Sequence, residues 1–347
     1  MALYKRQNTG VATSKMAAFL VIIVLFLSSA AAQNEGQYTH FMFNRLSYNP
    51  AFAGSSGNIS ATVLYRSQWM GLQLQAPTPT GKAGEKPTNM LFSFDLPVSW
   101  LHGGIGGSFT SEKVGYHDNS TFAIDYAFRI FWGAGTLSAG IEADLQNYKF
   151  ETSSLFGTSD LSGDPTNPVN NANDPLVKSQ DVSDFLFDAS IGIYYQVPSQ
   201  FYVGMAAKNL LATKSDQLNI KNTRTFYLMG GYEYTFPYNP SLKLKPSALF
   251  KTANFSIFQA DLACLLDYEN IFWGGLGYRW GDAVTFLAGV NFLKILQVGI
   301  AYDLTTSKLG FANGRSLGSL EIYLNAAFQI SVPKRPPTVS GNTLYLR

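Results

Sequence analysis

Acid–base or nucleophilic chemistry would have to be built from three histidines, His40, His102 and His117. A serine hydrolase needs a histidine beside a serine and a third group that orients the histidine. The best arrangement available is Ser111 or Ser120 near His117, and the three histidines are expected in separate parts of the protein. The sequence therefore favours a protein that is not an enzyme, and a surface lipid hydrolase is the least favoured alternative.

Metal or phosphate binding has little more support. Segment 147–185 is rich in Asp, Asn, Pro and Gly, which fits a calcium-binding loop, a partner-docking loop or a solvated loop. Its acids Asp160, Asp164 and Asp174 lack the spacing of a known calcium loop, so neither a metal nor a cofactor is expected. The glycines of Gly103–Gly107 are not followed by a helix. They are expected to allow curvature of a sheet or close packing of interior side chains rather than phosphate binding.

Residues 1–32 have the pattern of a secretory signal peptide. They combine a positively charged start, an apolar core of about 11 residues and small residues before the cleavage point. About 20 apolar residues are needed to span a bilayer, so a membrane anchor is the weaker interpretation. The residues concerned are Lys5, Arg6 and Lys15, then Ala17–Leu27, then Ala30–Ala32.

Charge and cysteine content exclude two further classes. Without the three basic residues of the signal, the chain has 25 − 3 = 22 basic and 23 acidic residues, a net charge of −1. This balance gives no support for nucleic acid as a partner. The single cysteine, Cys264, cannot form an internal disulfide and lies among apolar residues, so a buried or lipid-facing thiol is expected.

Apolar residues alternate with polar ones along many segments after residue 32. In 137–146, Leu137, Ile141 and Leu145 fall on one face of a strand, and Glu142 and Asp144 fall on the other. One face is therefore suited to hydrocarbon and the other to a polar interior. Only 14% of the residues are charged while 14% are aromatic, which is unusual for a soluble exported protein.

This template predicts an all-β transmembrane outer-membrane β-barrel of about 14 antiparallel strands, each near the length of roughly 9–11 residues that a tilted membrane strand needs. A soluble β-sandwich or propeller is the alternative. The predicted strands lie near 59–68, 88–95, 102–113, 119–130, 135–146, 186–197, 201–210, 223–235, 242–251, 255–266, 271–280, 284–292, 296–304 and 319–330.

The connections between these strands differ in length according to parity. The connections after even-numbered strands are all short, whereas the long ones, 69–87, 147–185, 211–222 and 305–318, all follow odd-numbered strands. Outer-membrane barrels have short periplasmic turns and long extracellular loops. The expected arrangement is a segment 33–58 in the periplasm or plugging the barrel, a barrel 59–330 and a periplasmic tail 331–347. Both termini are then periplasmic.

Charged side chains on the inward face are expected to line the lumen, where they set the selectivity of a pore or pair across a filled interior. They are Arg66, Asp125, Arg129, Glu142, Asp144, Glu233, Asp261, Arg279, Asp303 and Glu321. Aromatic residues near strand ends are expected to form interfacial girdles. They are Trp100, Phe131, Trp132, Tyr202, Trp273 and Trp280.

Several segments of the chain resemble the PorP/SprF family of outer-membrane proteins from Bacteroidota-type bacteria, which is associated with type IX secretion and gliding motility. The resemblance covers nearly all of the chain between the signal and residue 330. Two departures are the length of loop 147–185 and the tail after Ile330. The segments are Gln37–Ser55, Ala61–Leu72, Leu242–Lys251, Phe272–Val290, Gln297–Gly310 and Gly318–Leu324.

The resemblance implies a barrel that works with the type IX machinery and helps export, or holds at the cell surface, a large secreted adhesin-like protein with a type-B C-terminal domain. The expected partners are this client, other type IX and gliding components and the outer-membrane lipid. A passive pore or small-solute channel is the alternative. The shared opening stretch is expected to be a structural plug or gasket, with a partner-binding motif as the alternative. That motif would comprise Tyr38, Phe41, Phe43, Asn44, Tyr48, Asn49, Pro50, Phe52 and Gly54.

Overall fold

The computed structural model of the chain describes residues 36–72, 85–151, 181–293, 295–307 and 316–329. The predicted signal peptide 1–32 and tail 331–347 lie outside these residues. So do Asp160, Asp164 and Asp174 of loop 147–185, and the question of calcium there stays open. No helix among the described residues is long and apolar enough to cross a membrane.

Strands make up most of the described chain, and their ends follow the runs of alternating polarity. Two short 3-10 helices, Pro50–Phe52 and Ser99–Leu101, complete the secondary structure of the described residues. The strands are β1 (Asn58–Ser67), β2 (Glu85–Val98), β3 (Gly103–Gly115), β4 (His117–Trp132), β5 (Gly135–Phe150), β6 (Val182–Val197), β7 (Phe201–Lys208), β8 (Lys214–Ser215), β9 (Ile220–Lys221), β10 (Thr225–Tyr232), β11 (Tyr234–Phe236), β12 (Asn239–Ala253), β13 (Ile257–Tyr268), β14 (Phe272–Arg279), β15 (Ala283–Phe292), β16 (Leu296–Thr305) and β17 (Ser319–Gln329).

Fourteen of these strands close into one antiparallel barrel, which confirms the predicted fold. Strands β8 and β9 form a separate hairpin, and β11 continues β10 in the same register on β12. The sheet closes where β1 pairs with β17, with Arg66 opposite Glu321. Closure leaves every wall strand with two neighbours, so no edge strand is exposed to hydrocarbon.

The outer face of the wall is apolar, and the inner face is not. Phe122, Ile141 and Ile193 are 50%, 59% and 59% exposed, whereas Asp125 and Asp144 on the opposite face are buried. Exposed apolar side chains on every side of a closed barrel are stable in a lipid bilayer, because there they contact acyl chains rather than water. The chain is therefore an outer-membrane barrel. Cys264 lies on the outer face, as expected of a lipid-facing thiol.

The wall is taller on one side of the barrel. Strands β4, β5 and β6 each have 16 residues, whereas β14 has 8. Outside the apolar belt, the extended part carries polar residues on its outer face, including the ion pair Lys113–Asp118 at 3.4 Å. This taller side therefore projects beyond the lipid.

The two rims of the barrel differ. All connections of one rim are turns of two to four residues, at 99–102, 133–134, 198–200, 237–238, 269–271 and 293–295. We call this rim the short-turn rim. The opposite rim carries three short turns and four longer connections, 68–84, 151–181, 209–224 and 306–318, and we call it the long-connection rim. The four long connections follow the strand parity that the sequence predicted.

Candidate functional site

The residues that precede β1 lie inside the barrel. We call residues 36–57 the lumen segment. It contains a series of tight turns, such as the hydrogen bonds from Phe43 N to His40 O and from Asn49 N to Arg45 O, both 3.0 Å. Asn49 then caps the short 3-10 helix Pro50–Phe52, since its side-chain oxygen accepts from Ala51 N at 2.9 Å. Turn residues and Pro50 thus explain why this sequence follows neither a helical nor a strand period.

The lumen segment supplies much of the hydrophobic core. Tyr38, Phe41, Met42 and Tyr48 are each no more than 5% exposed and pack against inward side chains of the wall. The interior is therefore filled by a separate stretch of chain and not only by side chains of the strands.

At the long-connection end, the segment binds a carboxylate of the wall. Glu321 accepts hydrogen bonds from the backbone N of Thr39 at 2.7 Å and of His40 at 2.8 Å. The His40 ring nitrogen Nδ1 lies 2.7 Å from the same carboxylate. Arg66 donates to the Thr39 hydroxyl at 2.7 Å and to Asp303 at 2.6 Å. Each of these groups is almost completely removed from solvent.

A second arginine extends this cluster. Arg279 donates to Asp261 at 2.8 Å and to Asp303 at 2.9 Å. Two arginines and three carboxylates thus lie together with the imidazole of His40. Buried ions are tolerated only when their partners remain in place, because each one has lost its hydration. We call these six residues the ionic cluster: His40, Arg66, Asp261, Arg279, Asp303 and Glu321.

Arg45 holds the middle of the segment. Its guanidinium carbon lies 4.0 Å from the ring centroid of Tyr202, and its Nη1 donates to the Tyr194 hydroxyl at 3.0 Å. A cation stacked on an aromatic ring and hydrogen-bonded at its edge is stabilised without a counter-ion. Lys208 Nζ donates to Ser47 O at 3.0 Å, which adds a further contact from the wall.

Glycines of the wall make room for the segment. A Cβ atom on Gly140 would overlap the backbone of Ala51, and one on Gly192 would overlap the amide of Asn49. Asn49 Nδ2 donates to the backbone oxygens of Ile193 at 3.0 Å and Met205 at 3.3 Å. The close approach that these hydrogen bonds require is possible because the wall has no side chains there.

At the short-turn end, three wall side chains bind the last residues of the segment. Asp95 accepts from Gly54 N at 3.0 Å, Arg129 donates to Ala53 O at 3.0 Å, and Gln196 donates to Ser55 O at 2.6 Å. Asp95, Arg129 and Gln196 all lie near strand ends at the short-turn rim. The lumen segment therefore runs the length of the lumen.

The first described residues lie at a rim that strand parity does not predict for them. Strand parity placed both termini at the short-turn rim, and the described chain does end there, at Gln329. The partners of Thr39 and His40, however, lie one or two residues from strand ends at the long-connection rim. The first described residues are thus at the opposite rim from Gln329, because the segment threads the barrel instead of lying beneath it.

The ten charged side chains predicted to line the lumen all face inward. Arg129 and Glu233 are half-buried, and the other eight are buried. On the side opposite the ionic cluster, Lys208 Nζ lies 3.2 Å from Glu142, which neighbours Asp125 and Asp144 on adjacent inward positions. Most of these charges thus pair with one another or with the lumen segment, whereas the buried Asp125 faces another acid, Glu142, across the strand pair.

The nine residues of the proposed partner-binding motif all lie in the lumen segment. Seven of them are buried, and Phe43 and Phe52 are partly buried. Their side chains and backbone are directed to the wall, so a partner can contact most of them only if the segment moves.

The prediction that Trp273 and Tyr202 belong to the interfacial girdles was wrong. Trp273 is 4% exposed and packs inside the barrel against His40 and Phe43, with ring centroids 5.8 and 4.9 Å away. Tyr202 lies under Arg45. Both share the inward parity of their strands, a signal that the sequence contained, since Trp273 is six residues from the inward Arg279. The sequence pattern singles out neither Thr39 and Tyr194 nor the glycines Gly140, Gly192 and Gly204.

The geometry of the described residues supports neither the hydrolase nor the metal-site alternative. His117 packs its ring on Phe150 with centroids 4.9 Å apart, and Ser111 faces Ser120 across two strands. Within the described residues, no group of three or more His, Cys, Asp or Glu side chains is placed to hold a metal ion. A cavity of about 300 Å³ opens between the segment and the wall at the short-turn end, and charged Arg45 and Asp95 line it together with polar wall residues such as Ser60, Thr62 and Asn325 and with apolar residues of the segment.

Comparison with known proteins gives one family. The family model described as "Type IX secretion system membrane protein PorP/SprF" matches residues 30–325. No curated protein matches the chain significantly.

Solved structures with similar folds include outer-membrane proteins of low sequence identity. Omp33 of Acinetobacter baumannii is 8% identical, with 79% of this chain and 99% of that chain covered and a TM-score of 0.41. A FadL homologue of Pseudomonas aeruginosa is 10% identical, with 81% and 92% covered and a TM-score of 0.42. At this level of similarity, neither says what binds to or passes through this barrel.

Proposed function

Because this chain belongs to the PorP/SprF family of type IX secretion system membrane proteins, we propose that it is a non-enzymatic barrel that helps export a large secreted surface protein or anchors it at the cell surface. The client would be adhesin-like and carry a type-B C-terminal domain. Other type IX components, including those of gliding motility, would be its further partners in the outer membrane.

The observation that carries this proposal is the filled lumen. The lumen segment contacts the wall from Glu321 at one end to Asp95 at the other, through buried ion pairs, stacked rings and hydrogen bonds. A passive channel needs a continuous aqueous path, whereas an anchor needs a rigid body that resists force. A filled barrel therefore favours the anchor over the small-solute channel.

We assign the long-connection rim to the cell exterior and the short-turn rim to the periplasm. The assignment rests on the difference in connection length, which is typical of outer-membrane barrels. The projecting side of the wall, β4 to β6, would then stand above the outer leaflet and beside the client.

For the lumen segment we propose the role of a structural plug. Its buried contacts support this role. If the segment left the lumen, several aromatic side chains would be exposed and the buried charges of the ionic cluster would lose their partners. A partner-binding motif would have to overcome those contacts before it met its partner.

The test is purification of the tagged protein in mild detergent from its native outer membrane, followed by mass spectrometry of what copurifies. Recovery of a large secreted protein in stoichiometric amount is expected. The matched control is a sample from intact cells whose surface proteins have been removed with protease. Recovery of the barrel alone, under conditions in which other outer-membrane complexes survive, would contradict the anchor and favour a pore.

A further inference from the structure

The cavity at the short-turn end of the lumen has two unlike sides. The lumen segment contributes apolar side chains to it, among them Phe43, Leu46 and Phe52, and the wall contributes hydroxyl and amide groups such as those of Ser60 and Asn325. Its volume of about 300 Å³ is at the small end of the range of about 300–1,000 Å³ that is usual for ligand pockets. The cavity is therefore of the size and kind that holds a small molecule with an apolar body.

The positive charge of Arg45 in this cavity has no counter-ion. Arg45 makes no ion pair with any described residue, whereas Arg66 binds Asp303 at 2.6 Å. Arg45 Nε donates to Met42 O at 2.8 Å and Nη1 donates to the Tyr194 hydroxyl at 3.0 Å, and Nη2 has no hydrogen-bond partner among the described residues. Neutral groups thus hold the guanidinium in place and leave its charge available to an anion.

A second hydrogen-bond donor next to Arg45 is also unused. Asn44 is 3% exposed and lines the same cavity. Its oxygen accepts from Ser47 Oγ at 2.8 Å, but its Nδ2 has no hydrogen-bond partner in the described part of the chain. A buried N–H group without an acceptor is destabilising, so an anionic oxygen bound at Arg45 and Asn44 would satisfy two donors.

The other charged residue of the lining, Asp95, limits the charge of a ligand. Asp95 already accepts from Gly54 N at 3.0 Å and from Ser56 Oγ at 3.3 Å. It lies three residues from the end of β2 at the short-turn rim, where the cavity opens. A ligand with one negative charge is matched by Arg45, whereas a second negative charge would meet Asp95 and find no further free cation in the lining.

We propose that this cavity binds a small organic monocarboxylate, with its carboxylate on Arg45 and Asn44 and its apolar body against Phe43 and Phe52. The ligand would contact the lumen segment and the wall at once, so its binding would stabilise the plugged barrel. In the proposed orientation it enters from the periplasm. Binding to the purified protein depends on neither the orientation nor the client, so this proposal and the proposed function can fail separately.

Calorimetric titration of the purified barrel in mild detergent tests the class of ligand with three probes. Benzoate has one carboxylate on an apolar ring, benzamide has nearly the same shape without the charge, and phthalate has a second carboxylate. We expect benzoate to bind and the other two to bind about tenfold more weakly or less, since each loses a charge-assisted hydrogen bond or gains a repulsion. Absence of benzoate binding, or equal binding of benzamide or phthalate, would overturn the proposal.

Two variants test whether benzoate binds in this cavity. Arg45→Met removes the cation, and Ser93→Met fills the cavity from the wall while Arg45 stays in place. Both should weaken benzoate binding about tenfold or more. Lys214→Met, which removes a cation from an exposed ion pair, is the matched control and should bind benzoate as the wild type does.

Heat-dependent migration on gels verifies that each variant folds, and benzoate should raise the transition temperature of the wild type and not that of Ser93→Met. If Arg45→Met does not fold, Ser93→Met decides the question. Wild-type affinity of Ser93→Met for benzoate would show that the probe binds elsewhere and would overturn the proposal.

Discussion

At the scale of single residues, the ionic cluster ties the lumen segment to the wall. Arg66 is 2% exposed and contacts Thr39, Asp303 and Glu321 at once. A buried ionic cluster contributes little to stability compared with a well-packed apolar core, but removal of one member leaves the other charges buried without a partner. The cluster is therefore more sensitive to a single substitution than to its complete replacement.

The substitution Arg66→Met tests this point. It leaves Asp303 and Glu321 without their shared partner, and we expect the free energy of unfolding to fall by about 3–5 kcal/mol. The measurement is the temperature at which the purified barrel changes its gel migration. Lys214→Ala, in an exposed ion pair, is the control and should not shift this temperature. Equal behaviour of the two variants would contradict the role of the cluster.

Asn49 is the second residue at which one side chain makes several contacts. Asn49→Ala removes the cap of the 3-10 helix and two hydrogen bonds to the wall, so we expect a loss of about 1–2 kcal/mol. The same gel assay measures it. Ser56→Ala, at an exposed position only seven residues away, serves as the control. A destabilisation by Ser56→Ala as large as that by Asn49→Ala would argue against the specific role of the amide.

At the scale of elements, inward glycines of β3, β5, β6 and β7 determine where the segment fits. Gly104, Gly140, Gly192 and Gly204 each lack the Cβ that would overlap the segment, and a Cβ on Gly106 would make a tight contact with Leu46. The expectation that the glycines of 103–107 serve close interior packing agrees with the positions of Gly104 and Gly106. The inner surface of the wall and the lumen segment are therefore complementary in shape and packed closely together.

A matched pair of alanine substitutions tests this fit. Gly140→Ala places a methyl group against Ala51, and we expect the segment to be displaced, so that trypsin cleaves after Arg45, which is half-buried and stacked on Tyr202 in the wild type. Gly274→Ala adds the same group on the lipid-facing side of β14, where the nearest atom is 3.4 Å away. Mass spectrometry of the digests locates the cut. Equal protection of Arg45 in both variants would count against a close fit.

At the scale of the whole molecule, the closed barrel and the filled lumen together predict that it does not conduct. The wild-type protein in a planar bilayer is expected to give no stable open channel, because the lumen segment crosses the lumen from rim to rim. Stable channels of the wild-type protein would favour the small-solute pore.

Deletion of Gln37–Asn49 tests the same property from the other direction. If the segment is a plug, the deletion should lower the heat stability of the barrel sharply and open a channel. If the segment only recruits a partner, heat stability should be spared while recovery of the partner is lost. Gel migration against temperature and bilayer recordings on the same preparation distinguish the two results.

The local pattern of apolar and polar residues was enough to predict the strands of the barrel wall. Alternation of apolar and polar residues has a period of two, so it fixes which face of a strand meets lipid without reference to distant residues. The predicted strands therefore agree with the wall strands to within a few residues. The larger errors are at the long-connection ends of β5 and β6, where polar residues such as Asn147, Lys149 and Ser183 take the outward positions, so the apolar outer face ends before the strand does. The hairpin of β8 and β9, with two residues in each strand, gives no such signal.

The tertiary structure alone decided what the inward charges do and which way the lumen segment runs. The sequence left open whether Arg66, Asp303 and Glu321 line an open pore or pair across a filled one. The answer depends on Thr39 and His40, which meet Glu321 across 282 and 281 positions of sequence. Such contacts arise only when the barrel closes around the segment. Strand parity, in turn, fixes the rim at which β1 begins but carries no information about a chain that threads the lumen before it.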